Sequence, residues 1–297
     1  MSQPQKSKKQ TRRRFIQIAS LGAAAVVTDA FLIEPKRVVI TRHRLPVVGK
    51  SASGESVRFV QLTDLHLQPG DARMRQIAKN VKELKPDFVV FTGDSIDRSD
   101  RIPELGKFLD MLDPATPKFA TVGNWEYWGN VNFSDLGKTY ADRNGRLLIN
   151  ETAAFLHGGQ RVLVSGLDTE QGGSPSLTLA LRNVEPAANH VVLAHCPIQR
   201  EQIAAEISRN QNDPSLPDLS RYSIQCVLSG HTHGGQVTAF GAAPYCPPGS
   251  GRYVRGWYKD ASPPLYVSRG LGNSIFPARF CATPEIACFD WMLEKTV

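Results

Sequence analysis

At 297 residues, with 41% hydrophobic and 21% charged side chains, the chain is long enough to bury the core of one large α/β domain and is unlike a disordered polymer. Its net charge of +7 is local: Lys6, Lys8, Lys9, Arg12, Arg13 and Arg14 all precede the first acid, Asp29. With those six set aside the 35 Lys and Arg fall to 29, against 28 Asp and Glu, which excludes a basic body for wrapping nucleic acid; no nucleic-acid partner is expected.

The first segment reads as a targeting signal. Thr11-Arg12-Arg13-Arg14-Phe15-Ile16-Gln17 resembles the S/T-R-R-x-F-L-K pattern of twin-arginine export, with conservative departures at its last two positions. A moderately apolar stretch follows from Ile18 to Val27. Thr28-Asp29-Ala30 is a poor small-x-small cleavage site, whereas Ile16 to Ile33 is 18 residues, close to the ~20 that span a bilayer. Residues 1–34 are therefore set apart as a twin-arginine signal or uncleaved anchor. The expected partners are the export machinery and the membrane surface. The expected location is the periplasmic face of the inner membrane, or the periplasm itself if the leader is cleaved.

The body, residues 35–297, begins with strand-like Val38–Ile40 and then Val57–Leu62. Met74, Ile77, Ala78, Val81 and Leu84 recur at helical spacing, and Pro86 ends that helix. Phe88–Phe91 reads as a buried strand. Ile102, Leu105, Leu109 and Leu112 mark a second helix with Pro103 in its first turn, and Lys118–Val122 is a third strand. This β-α-β-α-β order predicts a largely parallel sheet with helices on its faces. Further strands are predicted at Arg161–Leu167, His190–Ala194, Ile224–Ser229, Leu265–Ser268 and Ile286–Trp291, with loops at 209–221 and 241–264.

Five polar motifs sit where predicted strands end: Asp64-Leu65-His66, Gly93-Asp94-Ser95-Ile96-Asp97, Gly123-Asn124-Trp125-Glu126, Ala194-His195-Cys196 and Gly230-His231-Thr232-His233. Asp64, Asp94 and Asn124 are each 30 residues apart, the length of one βαβ step, which returns them to the carboxyl edge of neighbouring strands. Asp, His and Asn are hard and borderline donors suited to Mn, Fe, Zn or Mg. A carboxylate such as Asp94 can bridge two ions about 3.5–4 Å apart that together grip a phosphate.

From about Val57 to Asn273 these motifs resemble the calcineurin-like metallophosphoesterase superfamily. Within it the arginine leader, the Arg42–Leu45 run and the Arg-rich late loops resemble the exported bacterial phosphodiesterases of the YaeI type; membrane-surface members cleave UDP-2,3-diacylglucosamine lipids. The resemblance implies a four-layer α/β/β/α sandwich with a dinuclear metal site at strand ends. Asp64, His66 and His233 would hold one divalent ion, Asn124, His195 and His231 the other, and Asp94 would bridge them. Asp94, Asn124, His195 and Asp97 would be the catalytic set, with a hydroxide held by the ions, not a side chain, as nucleophile. The implied activity is hydrolysis of phosphodiester or pyrophosphate bonds in a phosphoester or lipid-linked substrate.

The family pattern Gly-Asn-His-Asp/Glu carries Trp125 in place of the His. That leaves Asp97 without its customary partner and free to pair with Arg98 or Arg101. It also leaves two alternatives open: a soluble periplasmic phosphomonoesterase or nucleotidase, and a metal-holding binding protein without turnover. Trp125, Arg252, Arg255 and Arg269 are candidate substrate-binding residues, Arg279 a further phosphate grip, and Tyr127 and Trp128 belong to packing or to a stacking surface. Of five cysteines, Cys226 and Cys288 lie in apolar runs, Cys246 and Cys281 are the pair open to a disulfide, and Cys196 carries no sign of nucleophilicity.

Overall fold

In chain order the elements are α1 (Lys8–Thr28), β1 (Val39–Leu45), β2 (Ala52–Leu62), α2 (Arg73–Leu84), β3 (Phe88–Thr92), α3 (Ile102–Asp110), β4 (Lys118–Thr121), α4 (Asn124–Trp128) and α5 (Phe133–Ala141). There follow β5 (Gly145–Leu147), β6 (Glu151–His157), β7 (Gln160–Gly166), α6 (Leu177–Ala180), β8 (Asn189–Leu193), α7 (Gln199–Asn212), β9 (Ile224–Ser229), β10 (Gly256–Tyr258), β11 (Leu265–Val267) and β12 (Glu285–Glu294). The computed structural model describes residues 8–45, 52–239 and 242–295.

The strands form two six-stranded sheets, ordered β1-β12-β2-β3-β4-β5 and β10-β11-β9-β8-β7-β6. The predicted parallel succession is there: β2, β3, β4 and β5 run parallel, as do β7, β8, β9 and β11. Antiparallel pairs enter where β12 meets β2 and at the edge strands β6 and β10. The sheets pack face to face over a core that includes Phe59, Phe88, Val90, Val164, Val191 and Leu228. Outside the first sheet, α2, α3 and α5 bury residues such as Ile77, Leu105 and Tyr140; outside the second, α6 and α7 bury Leu177 and Ile203. The result is the expected α/β/β/α sandwich.

Helix α2 shows how the pattern becomes packing. Met74, Ile77, Ala78, Val81 and Leu84 are all buried on one face, and the larger apolar side chains contribute roughly 1.5–3 kcal/mol each relative to remaining exposed. The chain stops it with Lys85 in the left-handed conformation just before Pro86.

Two expected loops contain regular structure. Helix α7 runs through 209–212, and β10 lies inside 241–264. Helix α7 has little apolar periodicity to read. It is held through buried polar side chains: Arg200 donates to the Pro263 carbonyl at 2.9 Å and Asn210 to the Pro217 carbonyl at 3.0 Å. The predicted strand at Val38–Ile40 continues to Leu45, so the Arg42–Leu45 run is the C-terminal half of β1, paired in register with Cys288–Trp291. All five cysteines are free thiols, with Cys226 and Cys288 buried as expected.

Candidate metal centre

Each polar motif begins within three residues of the end of its strand. Asp64 follows β2, Asp94 follows β3 and Asn124 follows β4 in one sheet; His195 follows β8 and His231 follows β9 in the other. The two sheets are pinned together under the motifs by Gln61, whose amide donates to Thr92 Oγ1 at 2.9 Å and to the Ser229 carbonyl at 3.0 Å. Sharp turns then aim the ligands inward. Asp64, His66, Asp94, His231 and His233 all have φ between 46° and 71°. Non-glycine residues in that region cost on the order of 1–3 kcal/mol each and persist where the surroundings impose them.

Seven side chains converge, all buried: Asp64, His66, Asp94, Asn124, His195, His231 and His233. Asp94 Oδ2 is central, 3.2 Å from His195 Nε2 and 3.9 Å from His66 Nε2. Asp94 Oδ1 is engaged elsewhere, accepting from the Trp125 backbone N–H at 2.9 Å, so a single oxygen faces both imidazoles. On one side His66 Nε2 lies 3.4 Å from His233 Nε2, and His233 lies 3.6 Å from Asp64 Oδ1. On the other, His195 Nε2 lies 3.0 Å from Asn124 Oδ1 and 3.2 Å from His231 Nδ1.

The outer nitrogens decide what these inner atoms are. His66 Nδ1 is 2.5 Å from Asp97 Oδ1, His195 Nδ1 is 2.8 Å from the Thr92 carbonyl, and His231 Nε2 is 2.7 Å from the Pro248 carbonyl. Each of those partners only accepts, so each outer nitrogen carries a proton and the inner nitrogen is the one left to face an ion. Against the lowering effect of burial, Asp94 holds the His195 pKa well above the ordinary imidazole range, and Asp97 and Asp94 raise that of His66, so a bound cation would have to displace a proton from these inner nitrogens. Burial, aided by His195, drives the His231 imidazole down to about 4 and keeps it neutral. With the His195 proton displaced, the inward set around it would be two imidazole lone pairs, the Asp94 carboxylate and the Asn124 carbonyl, all acceptors within about one hydrogen-bond length. Such a set repels itself unless a cation lies between its members, and its chemistry fits a divalent ion. Asp64, His66 and His233 form a second group able to hold an ion.

Glu126 is a functional residue whose role the motif alone does not give. Its carboxylate accepts from the backbone N–H groups of Gly123 at 2.8 Å, Asp94 at 3.0 Å and Ser95 at 2.7 Å. It ties the turn that carries Asp94 to the turn that carries Asn124, reaching back three residues as in a helix capping box. Burial and the nearby Asp94 push its pKa up to about 7. Gly123 permits that approach, since a Cβ there would overlap Asp94 Oδ1 and the Asp94 backbone nitrogen.

Asp97 departs from the expected pairing. It meets His66 and accepts from Gln68 Nε2 at 3.1 Å, while Arg98 and Arg101 both turn to Asp100. With no motif histidine to hold it, the carboxylate orients a buried imidazole that would otherwise lack a partner on its outer side.

A cavity of about 350 Å³ opens over Asp94, Asn124, His231 and His233, and its walls are mainly apolar. Trp125 lies at its floor, edge-on to His66 with ring centroids 5.8 Å apart, and Trp128 stands beside it at 5.6 Å. The late arginines sit elsewhere. Arg252 pairs with Asp260, Arg255 donates to the Cys281 carbonyl, and Arg269 holds Glu285 at 2.7 Å; none of the three lines the cavity. Arg279 is fully buried beneath His233, with its guanidinium on the carbonyls of Arg269, Gly272 and Ala282, and burial lowers it to about 9. Tyr127 packs on Phe133 and donates to Asp168 at 2.7 Å. Burial raises the Cys196 thiol and keeps it protonated.

Comparison with known proteins agrees with this geometry. Residues 57–235 match the family described as calcineurin-like phosphoesterase. The metallophosphoesterase YkuE of Bacillus subtilis is 28% identical over 95% of this chain and 98% of its own length. UDP-2,3-diacylglucosamine pyrophosphatase LpxG of Chlamydia trachomatis is 29% identical over 93% of this chain and 97% of its own. Phosphodiesterase YaeI of Escherichia coli is 26% identical over 94% of this chain and 98% of its own.

Proposed function

The chain belongs to the calcineurin-like phosphoesterase family and is a metal-dependent phosphoester hydrolase, and from that premise we propose that it cleaves phosphodiester or pyrophosphate bonds in a membrane-associated, lipid-linked substrate. The observation that carries this reading is Asp94 Oδ2, set between the two imidazole groups and open to the cavity. In the proposal Asp64, His66 and His233 would hold one ion and Asn124, His195 and His231 a second, with Asp94 shared by both groups. Divalent Mn, Fe, Zn or Mg there would supply positive charge at the phosphoryl oxygens. The chain's own part is to fix the donors. Asp97 and the Thr92 and Pro248 carbonyls orient the rings, and Glu126 locks the Asp94 and Asn124 turns together. The apolar walls exclude water from the reacting phosphate.

Two features support the lipid-linked class. Helix α1 and the residues after it, Arg12–Lys36, are long and apolar enough to cross a bilayer. A relative aligned over nearly the whole chain is, by its name, a pyrophosphatase of a diacylated sugar nucleotide. Export by the twin-arginine route, with α1 kept as an anchor for residues 35–297 at the periplasmic face, belongs to the same proposal. The Trp125 replacement favours one second reading, a protein that holds metal without turnover.

The test is the full-length chain loaded in turn with each of the four metals and assayed on a monoester, bis(p-nitrophenyl) phosphate, a nucleotide-sugar lipid and a phospholipid. Cleavage of diester or pyrophosphate that Asp94→Asn abolishes, with lower bound metal and an unchanged fold, is the expected result. Turnover of the monoester alone would replace it with the phosphomonoesterase reading. Full metal loading without any turnover would leave the binding protein.

A further inference from the structure

The rim of the cavity is apolar and exposed. Tyr245, Ile275 and Phe276, with 72%, 86% and 52% of their surface in solvent, stand around the mouth together with Trp128 at 57%. Contiguous exposed apolar surface of this kind marks a contact with another apolar phase. The phase is identified by what the rim is attached to.

The rim segment is fastened to the end of α1. The Phe31 ring meets Phe276 edge-on, with centroids 5.3 Å apart. The Arg279 backbone N–H donates to the Ala30 carbonyl at 2.9 Å. The buried Glu34 carboxylate accepts from the Cys281 and Ala282 N–H groups at 2.8 and 2.7 Å and from the Thr283 hydroxyl at 3.0 Å. No slack linker separates helix from domain: residues 30–34 are part of the same hydrogen-bonded unit as residues 276–283. Beyond the basic residues at its start, the helical segment from Phe15 to Ile33 exposes Phe15, Ile18, Leu21 and Val27 and, at about 1.5 Å per residue, is about 28 Å long, close to the thickness of a bilayer's hydrocarbon core. When this segment spans, its end at Phe31–Ile33, in the π-helical turn Asp29–Ile33 that continues α1, lies at the lipid–water interface, and the cavity mouth lies there with it. Lys36 and Arg37, exposed just beyond, suit phosphate headgroups.

We propose that the rim formed by Tyr245, Ile275, Phe276 and Trp128 docks into the lipid surface, so that the cavity opens directly onto the leaflet. The ligand class is an amphiphilic phosphoester. Its acyl end stays in lipid or against the apolar walls, and its phosphate reaches the Asp94–Asn124 floor without crossing water. The docking surface stands on the geometry of α1; the ligand class rests on the hydrolase reading above.

The experiment uses the full chain in vesicles of phosphatidylethanolamine and phosphatidylglycerol containing a headgroup-level nitroxide lipid. Cys246→Ser and Cys281→Ser remove the accessible thiols, and an environment-sensitive fluorophore is placed at Ile275→Cys. A control carries it at Leu156→Cys, exposed on β6 at the end of the sandwich opposite the metal centre. Quenching at 275 and none at 156 is expected; equal quenching at the two positions overturns the docking surface. For the ligand class, Ile275→Asp combined with Phe276→Asp should lower the ratio of phospholipid to soluble bis(p-nitrophenyl) phosphate turnover by about tenfold or more. An unchanged ratio overturns delivery from the leaflet. Absence of turnover on both substrates in the wild type, with quenching at 275 intact, would defeat the hydrolase reading and leave the docking surface standing.

Discussion

Asp97 Oδ1 lies 2.5 Å from His66 Nδ1, and that contact fixes which imidazole nitrogen faces Asp94. Outer partners of metal-binding histidines commonly control affinity about 10–100-fold. Asp97→Ala should therefore weaken metal binding by that amount while leaving the fold intact, because the carboxylate is partly exposed and otherwise bonds only Gln68. Calorimetric titration of the metal-free variant is the measurement. Unchanged affinity would mean the His66 ring is held by packing alone.

The proposed export rests on the leader. Arg12→Lys with Arg13→Lys should strand the protein in the cytoplasm, since the twin-arginine pattern loses both guanidinium groups while the charge of the leader stays the same. Fractionation with immunodetection reads this out. A membrane-associated double variant facing the periplasm would assign export to another route.

His190 makes acid stability predictable. It is wholly buried on β8, its Nε2 is 2.7 Å from Ser165 Oγ, and its Nδ1 has no hydrogen-bond partner among the described residues. Burial lowers its pKa to about 3 from the ordinary imidazole value of 6.5. The folded state thus binds fewer protons than the unfolded state between those two values. The stability this group contributes is fully present above pH ~6.5 and is lost as the pH falls toward ~3, at about 1.4 kcal/mol per pH unit. His190→Gln should flatten the acid limb of stability against pH relative to wild type, whatever the metal-site residues add to both. Denaturant unfolding at pH 7 and pH 5 on metal-free protein checks it; parallel losses in the two proteins would contradict the assignment.

How much of this was legible in the sequence follows from which signals are local. Asp64, Asp94 and Asn124 are readable because βαβ geometry forces a regular spacing, and α2 because its five apolar residues share one face. Helix α7 and β6 were not readable. The first is held by buried polar side chains. The second is an edge strand whose apolar Phe155 and Leu156 sit on opposite faces. The Asp97–His66 contact and the clamp of Glu34 on residues 281–283 join positions 31 and about 250 residues apart, so no window on the chain contains them. The arginines look alike in sequence, and only the fold shows Arg279 buried under His233 while Arg252 pairs at the surface.

Trp125 bears on which bonds the centre can break. The indole N–H donates a hydrogen bond but no proton, and the ring lies edge-on to His66 where the family pattern carries an imidazole. A poor alkoxide leaving group needs a general acid, a contribution of about 10²–10⁴-fold. A leaving phosphate or aryl oxide needs little. The expected outcome is a preference for anhydrides and activated diesters, read as a steep dependence of kcat/KM on leaving-group pKa in the wild type. Trp125→His should flatten that dependence by raising turnover of alkyl esters more than of anhydrides. The gain is limited by Asp97: that carboxylate already holds His66, so the new imidazole must share it or go without. The His66 contact therefore predicts a second signature, weaker metal binding in Trp125→His wherever the new ring draws Asp97 away. Equal slopes in the two proteins, or efficient alkyl ester cleavage by the wild type, would show that the proton comes from another group.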